Sequence, residues 1–190
     1  MEETKNDLLT DLQLTETDHP VLETFVRGDH KYIRDMRINL KNTIASQFFS
    51  KKEAYLIALA VAANEKNTIL TESFSAAARE HGAAEAEIAE AYAVASLLST
   101  LNVYYRFKHF SSNKNYDAKQ AGIKMTIMAR PVLGKLLFEI LSLVVSAVNG
   151  CETCVNNHEQ SVRNEGGTED QIFDAVRLGS VVKGLSAVIY

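Results

Sequence analysis

The chain has 190 residues, a formal charge of −4, 46% apolar residues and 23% charged residues. That size and balance suit one soluble globular domain with a real core, and no segment concentrates the basic residues that nucleic acid would require. Only two prolines and nine glycines punctuate the chain, which suits helices and disfavours a many-turned β fold.

The N-terminal stretch MEETKNDLLTDLQ is acidic and polar. It lacks the basic-then-apolar order of a signal peptide. Residues near 31 to 49 show apolar positions at helical spacing. Ser50 reads as the N-cap of KKEAYLIALAVAAN. TILTESFSAAAREHG follows as a helix that stops at Gly82, and then comes the long pattern AEAEIAEAYAVASLLSTLNVYYRF. SSNKNYDAKQ is a polar loop, and AGIKMTIMA reads as a short helix ended by Pro131. The next helical run contains LLFEILSLVVSAV, the longest apolar stretch. It is broken by Glu139, Ser142 and Ser146 and is too short to span a bilayer. A turn at Asn149 and Gly150 leads into the helix CETCVNNHEQSVRNEGG, and Thr168 caps a last helix. The expectation is an all-α, soluble, cytoplasmic protein with no membrane or nucleic-acid partner.

Two segments repeat the same order of helix, turn, helix, glycine stop and helix. Aligning Leu56 with Leu141 sets Asn64 on Asn149 and Gly82 on Gly167; a one-residue slip then pairs Ile88 with Ile172. The reading is a single helical domain built from two pseudo-repeated units, about 51–107 and about 136–190, preceded by a segment 1–30 of unknown role. In this register Lys66, Ile69 and Ser73 stand where the second unit carries Cys151, Cys154 and His158. Only the second unit is chemically armed.

Cys151 and Cys154 are the only cysteines, and with His158 they fall on one face of a helix. A cysteine at a helix start meets free N–H groups and the positive end of the helix dipole, both of which favour thiolate. A second thiol one turn on can close a disulfide, and a histidine a further turn on can carry a proton near neutral pH. In a reducing compartment such a pair is catalytic or metal-binding rather than a permanent staple. Zinc is the rival reading, with a carboxylate as fourth ligand, and an inert buried pair is a third. Glu139 lies twelve residues before Cys151. If the chain reverses at Asn149–Gly150, Glu139 is about 15 Å down one helix and His158 about 12 Å down the other, so they can meet. The alternative is that Glu139, Ser142, Ser146 and Asn149 form a solvated stripe.

Glu139, eleven residues, then CETCVNNH resembles the spaced Glu, CxxC and His signature of the alkyl hydroperoxide reductase D (AhpD) family, within the carboxymuconolactone decarboxylase-like superfamily. NVYYRFKHF and the two-copy helical layout also resemble that family, over roughly residues 35 to 190; the AhpD-like domain would span 31–190. The resemblance departs at Thr153, where well-studied members carry a histidine.

The resemblance implies an antioxidant peroxidase, commonly a homotrimer, that reduces organic hydroperoxides and serves a partner peroxiredoxin. It binds no cofactor or metal and is re-reduced by dihydrolipoamide on a lipoyl-bearing 2-oxoacid dehydrogenase component. Carried over by motif position, Cys154 is the attacking thiolate, Cys151 the proton donor and resolving thiol that meets the partner, and His158 with Glu139 the proton relay. The helix-start argument instead makes Cys151 the more acidic thiol. A decarboxylase or lactone-processing enzyme on the same scaffold, and a metal-binding non-catalytic adaptor, remain as alternatives.

Overall fold

A computed structural model describes residues 1–15 and 19–190. Among the described residues it is all-α, with nine α-helices and two 3-10 turns: α1 (Glu2–Asp11), α2 (Pro20–Arg27), α3 (Tyr32–Ile44), α4 (Lys51–Asn64), α5 (Thr68–Glu80), α6 (Glu85–Phe110), α7 (Lys135–Val148), α8 (Glu152–Asn164) and α9 (Glu169–Ser186). No described helix is long and apolar enough to cross a membrane.

The caps read from the sequence are in place. Ser50 Oγ accepts from Glu53 N (3.3 Å) and Glu53 Oε2 accepts from Ser50 N (2.8 Å), a reciprocal box that starts α4. Thr168 and Gln171 do the same for α9. Two expectations need correction. The helix expected near 31 to 49 ends at Ile44, and AGIKMTIMA forms only a 3-10 turn, Thr126–Met128. That segment is too short to repay the cost of nucleating a full helix.

The core is built on α4 and α7, which pack on each other at the centre. Leu56 to Ala62 of α4 and Leu137 to Ser146 of α7 are buried without interruption. A helix apolar all round must be covered on every side. Here α5 and α6 cover α4 while α8 and α9 cover α7, and each outer long helix also reaches the other unit, α9 on α4 and α6 on α7. Exchanging α4–α5–α6 with α7–α8–α9 reproduces these contacts, a pseudo-two-fold arrangement. At the junction Asn64 and Asn149 bond each other reciprocally, at 2.9 and 3.0 Å, and Asn149 also donates to Asn102 Oδ1.

The register of the repeat differs from the sequence alignment by one residue. Lys66 (φ 59°) and Gly150 (φ 67°) occupy the same left-handed turn position. Asn67 N donates to Ala62 O as Cys151 N donates to Ser146 O, and Ala83 N donates to Ala78 O as Gly167 N donates to Val162 O. Asn67 is therefore equivalent to Cys151, Leu70 to Cys154, Phe74 to His158 and Gly82 to Gly166, with no slip before Ile88 and Ile172.

The N-terminal segment joins this core. α1 packs on α3, α3 packs on α9, and Leu8, Leu9, Leu12 and Leu22 are buried in the same cluster as the repeat helices. Of the segment 1–30, residues 16–18 lie outside the described residues.

Gly179 on α9 lies at a close approach of α9 to the central pair. A Cβ there would collide with Val144 Cγ1 and come within 3.6 Å of Val61 Cγ2. Gly179→Ala is expected to cost about 1–3 kcal/mol by overpacking, against the gain of about 0.5–1 kcal/mol that alanine ordinarily brings to a helix interior. Val144→Ala in the same chain should recover part of the loss. Urea unfolding of the two single variants and the double variant measures this; strictly additive effects would show that the Val144 contact is not the cause.

Candidate functional site

The turn between α7 and α8 sets the site. Gly150 takes the left-handed conformation that lets the chain reverse within two residues, and Cys151 follows as the N-cap of α8. Cys154 is then the third residue of the helix. In the first unit the equivalent N-cap, Asn67, accepts from Leu70 N (2.9 Å) through its side chain. In the second unit the N-cap side chain is joined covalently to the equivalent of Leu70: Cys151 and Cys154 form a disulfide with Cα atoms 5.3 Å apart.

Glu139 and His158 meet as the antiparallel geometry predicts. His158 Nδ1 lies 2.7 Å from Glu139 Oε2, and Lys135 Nζ lies 2.8 Å from Glu139 Oε1. Lys135 also donates to Met128 O (2.9 Å), tying the loop before α7 to the same carboxylate. Glu139 is 2% exposed, and Ser142 and Ser146 are fully buried. The solvated-stripe alternative is thus overturned: this polar row faces α6 and α8, and Ser146 Oγ accepts from Asn102 Nδ2 (3.0 Å). Burial raises the Glu139 pKa, but the hydrogen bonds and charges of His158 and Lys135 outweigh it and hold the carboxyl below its ordinary value. A buried carboxylate is tolerable here because both of its oxygens are paired.

Cys154, His158 and Glu139 line one cavity of about 280 Å³, closed by Leu98, Leu101 and Tyr105 of α6 and by Met125 and Met128 of the preceding loop. Cys151 does not line it. It is 1% exposed and Cys154 5%. The sulfur expected to meet a partner is therefore the more deeply buried of the two. Among the described residues no group of three or more His, Cys, Asp or Glu side chains is arranged to share a metal ion.

Three features escaped the sequence reading. Lys135 sits one turn before Glu139, a spacing that signals a pair once the carboxylate is suspected. Tyr105 lies within the NVYYRFKHF segment. Met125 and Met128 carry no readable signal, because only the fold brings their loop to the cavity.

Several proteins named alkyl hydroperoxide reductase AhpD are similar to this chain. One from Anaeromyxobacter dehalogenans (strain 2CP-C) is 38% identical over 82% of this chain and 83% of its own. One from Solibacter usitatus (strain Ellin6076) is 33% identical over 88% and 94%. One from Rhodococcus erythropolis (strain PR4 / NBRC 100887) is 35% identical over 84% and 88%. The chain belongs to the AhpD family. Residues 116–190 also match the carboxymuconolactone decarboxylase family, a stretch that begins before α7 and holds the second unit. The four residues of the signature fall inside that stretch, and three of them, Glu139, Cys154 and His158, line the cavity described above.

The depressed Glu139 pKa has a stability consequence. An unfolded glutamate titrates at about 4.3. The contribution of a carboxyl with a lower folded value is fully present above that pH and is lost as pH falls through the folded value. The oxidised protein should therefore lose stability below about pH 4.3 more steeply than Glu139→Gln does. Urea unfolding midpoints of both proteins across this range test it, and parallel curves would mean that the Glu139 pairing contributes nothing to folding.

Proposed function

We propose that this protein is a dithiol peroxidase that reduces organic hydroperoxides, with Cys154 as attacking thiolate, Cys151 as resolving thiol and Glu139–His158 as proton relay. The observation that carries the reading is the cavity in which Cys154 lies beside an imidazole already hydrogen-bonded to a buried carboxylate. Glu139 fixes the ring so that Nδ1–H donates to it, which leaves Nε2 free to exchange a proton.

In the reduced protein His158 takes the Cys154 proton. The thiolate attacks the outer oxygen of the hydroperoxide; a sulfur–oxygen bond forms and the oxygen–oxygen bond breaks. The leaving alkoxide takes the proton from His158 as alcohol, and Cys154 is left as sulfenic acid. The Cys151 sulfur then attacks Cys154; the departing hydroxide takes the Cys151 proton and leaves as water, and the disulfide closes. Cys151, in the N-cap position that Asn67 fills in the first unit, is favoured as thiolate by the free N–H groups of α8. The acidic thiol and the attacking thiol are thus different sulfurs: Cys151 is set by the helix start, Cys154 by the cavity.

Two electrons must return by thiol–disulfide exchange. Both sulfurs are buried, so a slender dithiol such as dihydrolipoamide on a lipoyl-bearing protein suits the cavity better than a broad protein surface. A peroxiredoxin of the alkyl hydroperoxide reductase C type is the proposed oxidised partner.

Assembly is part of the proposal. Val103, Phe107 and Phe110 along α6 are 60%, 51% and 73% exposed, with Tyr92 on the same helix 41% exposed. So much apolar surface on one helix suits burial between subunits, and the homotrimer of the family is the proposed state. Light scattering at micromolar concentration should return three times the chain mass; a monomer mass would overturn this.

The chemistry is tested by thiol titration of the reduced protein before and after one equivalent of cumene hydroperoxide. Two thiols should be lost together, and neither Cys151→Ser nor Cys154→Ser should sustain multiple turnovers. Glu139→Gln should slow the peroxidase about 10²–10⁴-fold near neutral pH, with a defect that shrinks as pH rises past the thiol pKa. Sustained turnover by either serine variant would falsify the dithiol cycle.

A further inference from the structure

A second buried carboxylate is built into the surroundings of the redox cavity. Glu90 lies in α6 and is buried. Its Oε1 accepts from Val132 N (2.8 Å) and its Oε2 from Leu133 N (2.6 Å). Among the described residues it has no ion-pair partner, so a group that is costly to bury is held by two backbone N–H groups alone. Those N–H groups belong to the two residues before Gly134, the N-cap of α7, which has no side chain with which to cap the helix. The same stretch is closed into a ring by Lys135, the first residue of α7, whose Nζ donates back to Met128 O (2.9 Å). Glu90 anchors that ring to α6.

The anchor joins two walls of the cavity. Leu98, Leu101 and Tyr105 of α6 form one, and Met125 and Met128 of the loop form another. Leu98 follows Glu90 on the same helix, about 12 Å along it at about 1.5 Å per residue. The loop is thus tied to the helix that it faces, and the reach of one side chain sets the gap between them. The other half of the pseudo-two-fold lacks this tether. There the residue equivalent to Glu90 is Asp174, also buried, and those equivalent to Val132 and Leu133 are Phe48 and Phe49. Asp174 is one carbon shorter and accepts from Arg177 Nη1 of its own helix (2.8 Å), while Phe48 N donates to Ser46 Oγ (3.0 Å). Both halves bury an acid at this position, and the one that faces the loop of the dithiol unit holds that loop.

We propose that Glu90 is a positioning residue that sets the width of the redox cavity, and with it the preference for hydroperoxides whose organic group fills the space between α6 and the two methionines. This rests on the peroxidase reading above. Glu90 does not line the cavity, so its effect is carried by the loop. Hydrogen peroxide has no organic group to press on that wall and should be indifferent to Glu90.

The test uses the full chain with Glu90→Gln, checked for native helicity. The glutamine keeps the shape but turns an amide N–H toward one of the two backbone N–H groups, so one of the two bonds is lost. KM for cumene hydroperoxide should rise about tenfold with kcat unchanged, the mark of lost contacts to the organic group. The kcat/KM for hydrogen peroxide should not move. Met128→Ala should raise the same KM, and Glu90→Gln should add little to it, because both act through one wall. If the glutamine variant loses helicity, Glu90→Asp, which keeps the charge but reaches less far, carries the same test. A second readout needs no peroxidase activity. In Cys151→Ser, Cys154 is the only thiol, and Glu90→Gln should raise its rate of alkylation by N-phenylmaleimide relative to N-methylmaleimide. Both reagents consume the same thiolate, so the ratio reports access and not thiol acidity. A parent chain without peroxide turnover would sink the peroxidase reading, and the maleimide ratio would still decide the role of Glu90. An equal change for the two peroxides, a fall in kcat alone, additivity with Met128→Ala or an unchanged maleimide ratio would each overturn the proposal.

Discussion

One carboxylate inside the central helix constrains much of this structure. Glu139 is buried in α7, where a charge costs several kcal/mol unless it is paired on every side. The pairing uses one group from α8 and one from α7 itself, and the latter also holds the backbone of the loop before α7. The carboxylate thereby fixes how α8 leans on α7, where the loop carrying Met125 and Met128 runs, and which face of His158 is left open. The cavity beside Cys154 follows from those three placements. The charge is costly in the core, and it is retained where the proposed chemistry needs an oriented imidazole.

The two halves show how one helical scaffold supports different chemistry. Both use an N-cap after a left-handed turn residue, and both bury the middle of the first helix on every side. Asn67 caps its helix with a hydrogen bond, while Cys151 is bonded to the side chain one turn on. The backbone supplies the same position in both units, and the residue placed there decides whether its side chain caps the helix or closes a disulfide. In the first unit Phe74 and Tyr55 stand in place of the acid–base pair. The N-terminal helices cover that side of the molecule, which ties α1 to the fold through Leu8, Leu9 and Leu12.

The sequence by itself determined the helices, the Ser50 and Thr168 caps, and the armed second half. These depend on local pattern: period, cap residues and the fixed spacing of Glu139, Cys151, Cys154 and His158 along two helices joined by a short turn. It did not determine the register of the repeat, because amphipathic runs of low identity tolerate a one-residue shift that turn hydrogen bonds do not. It left Glu139 between a solvated stripe and a buried relay, since burial is set by neighbours far along the chain. Only the tertiary structure decided that α6 covers this row, that Lys135 shares the carboxylate, and that Cys154 rather than Cys151 opens on the cavity. The docking of α1 and the tether from Glu90 to the loop before α7 were likewise out of reach of local pattern. Each depends on which surfaces of distant helices meet, and that is fixed by packing of the whole core.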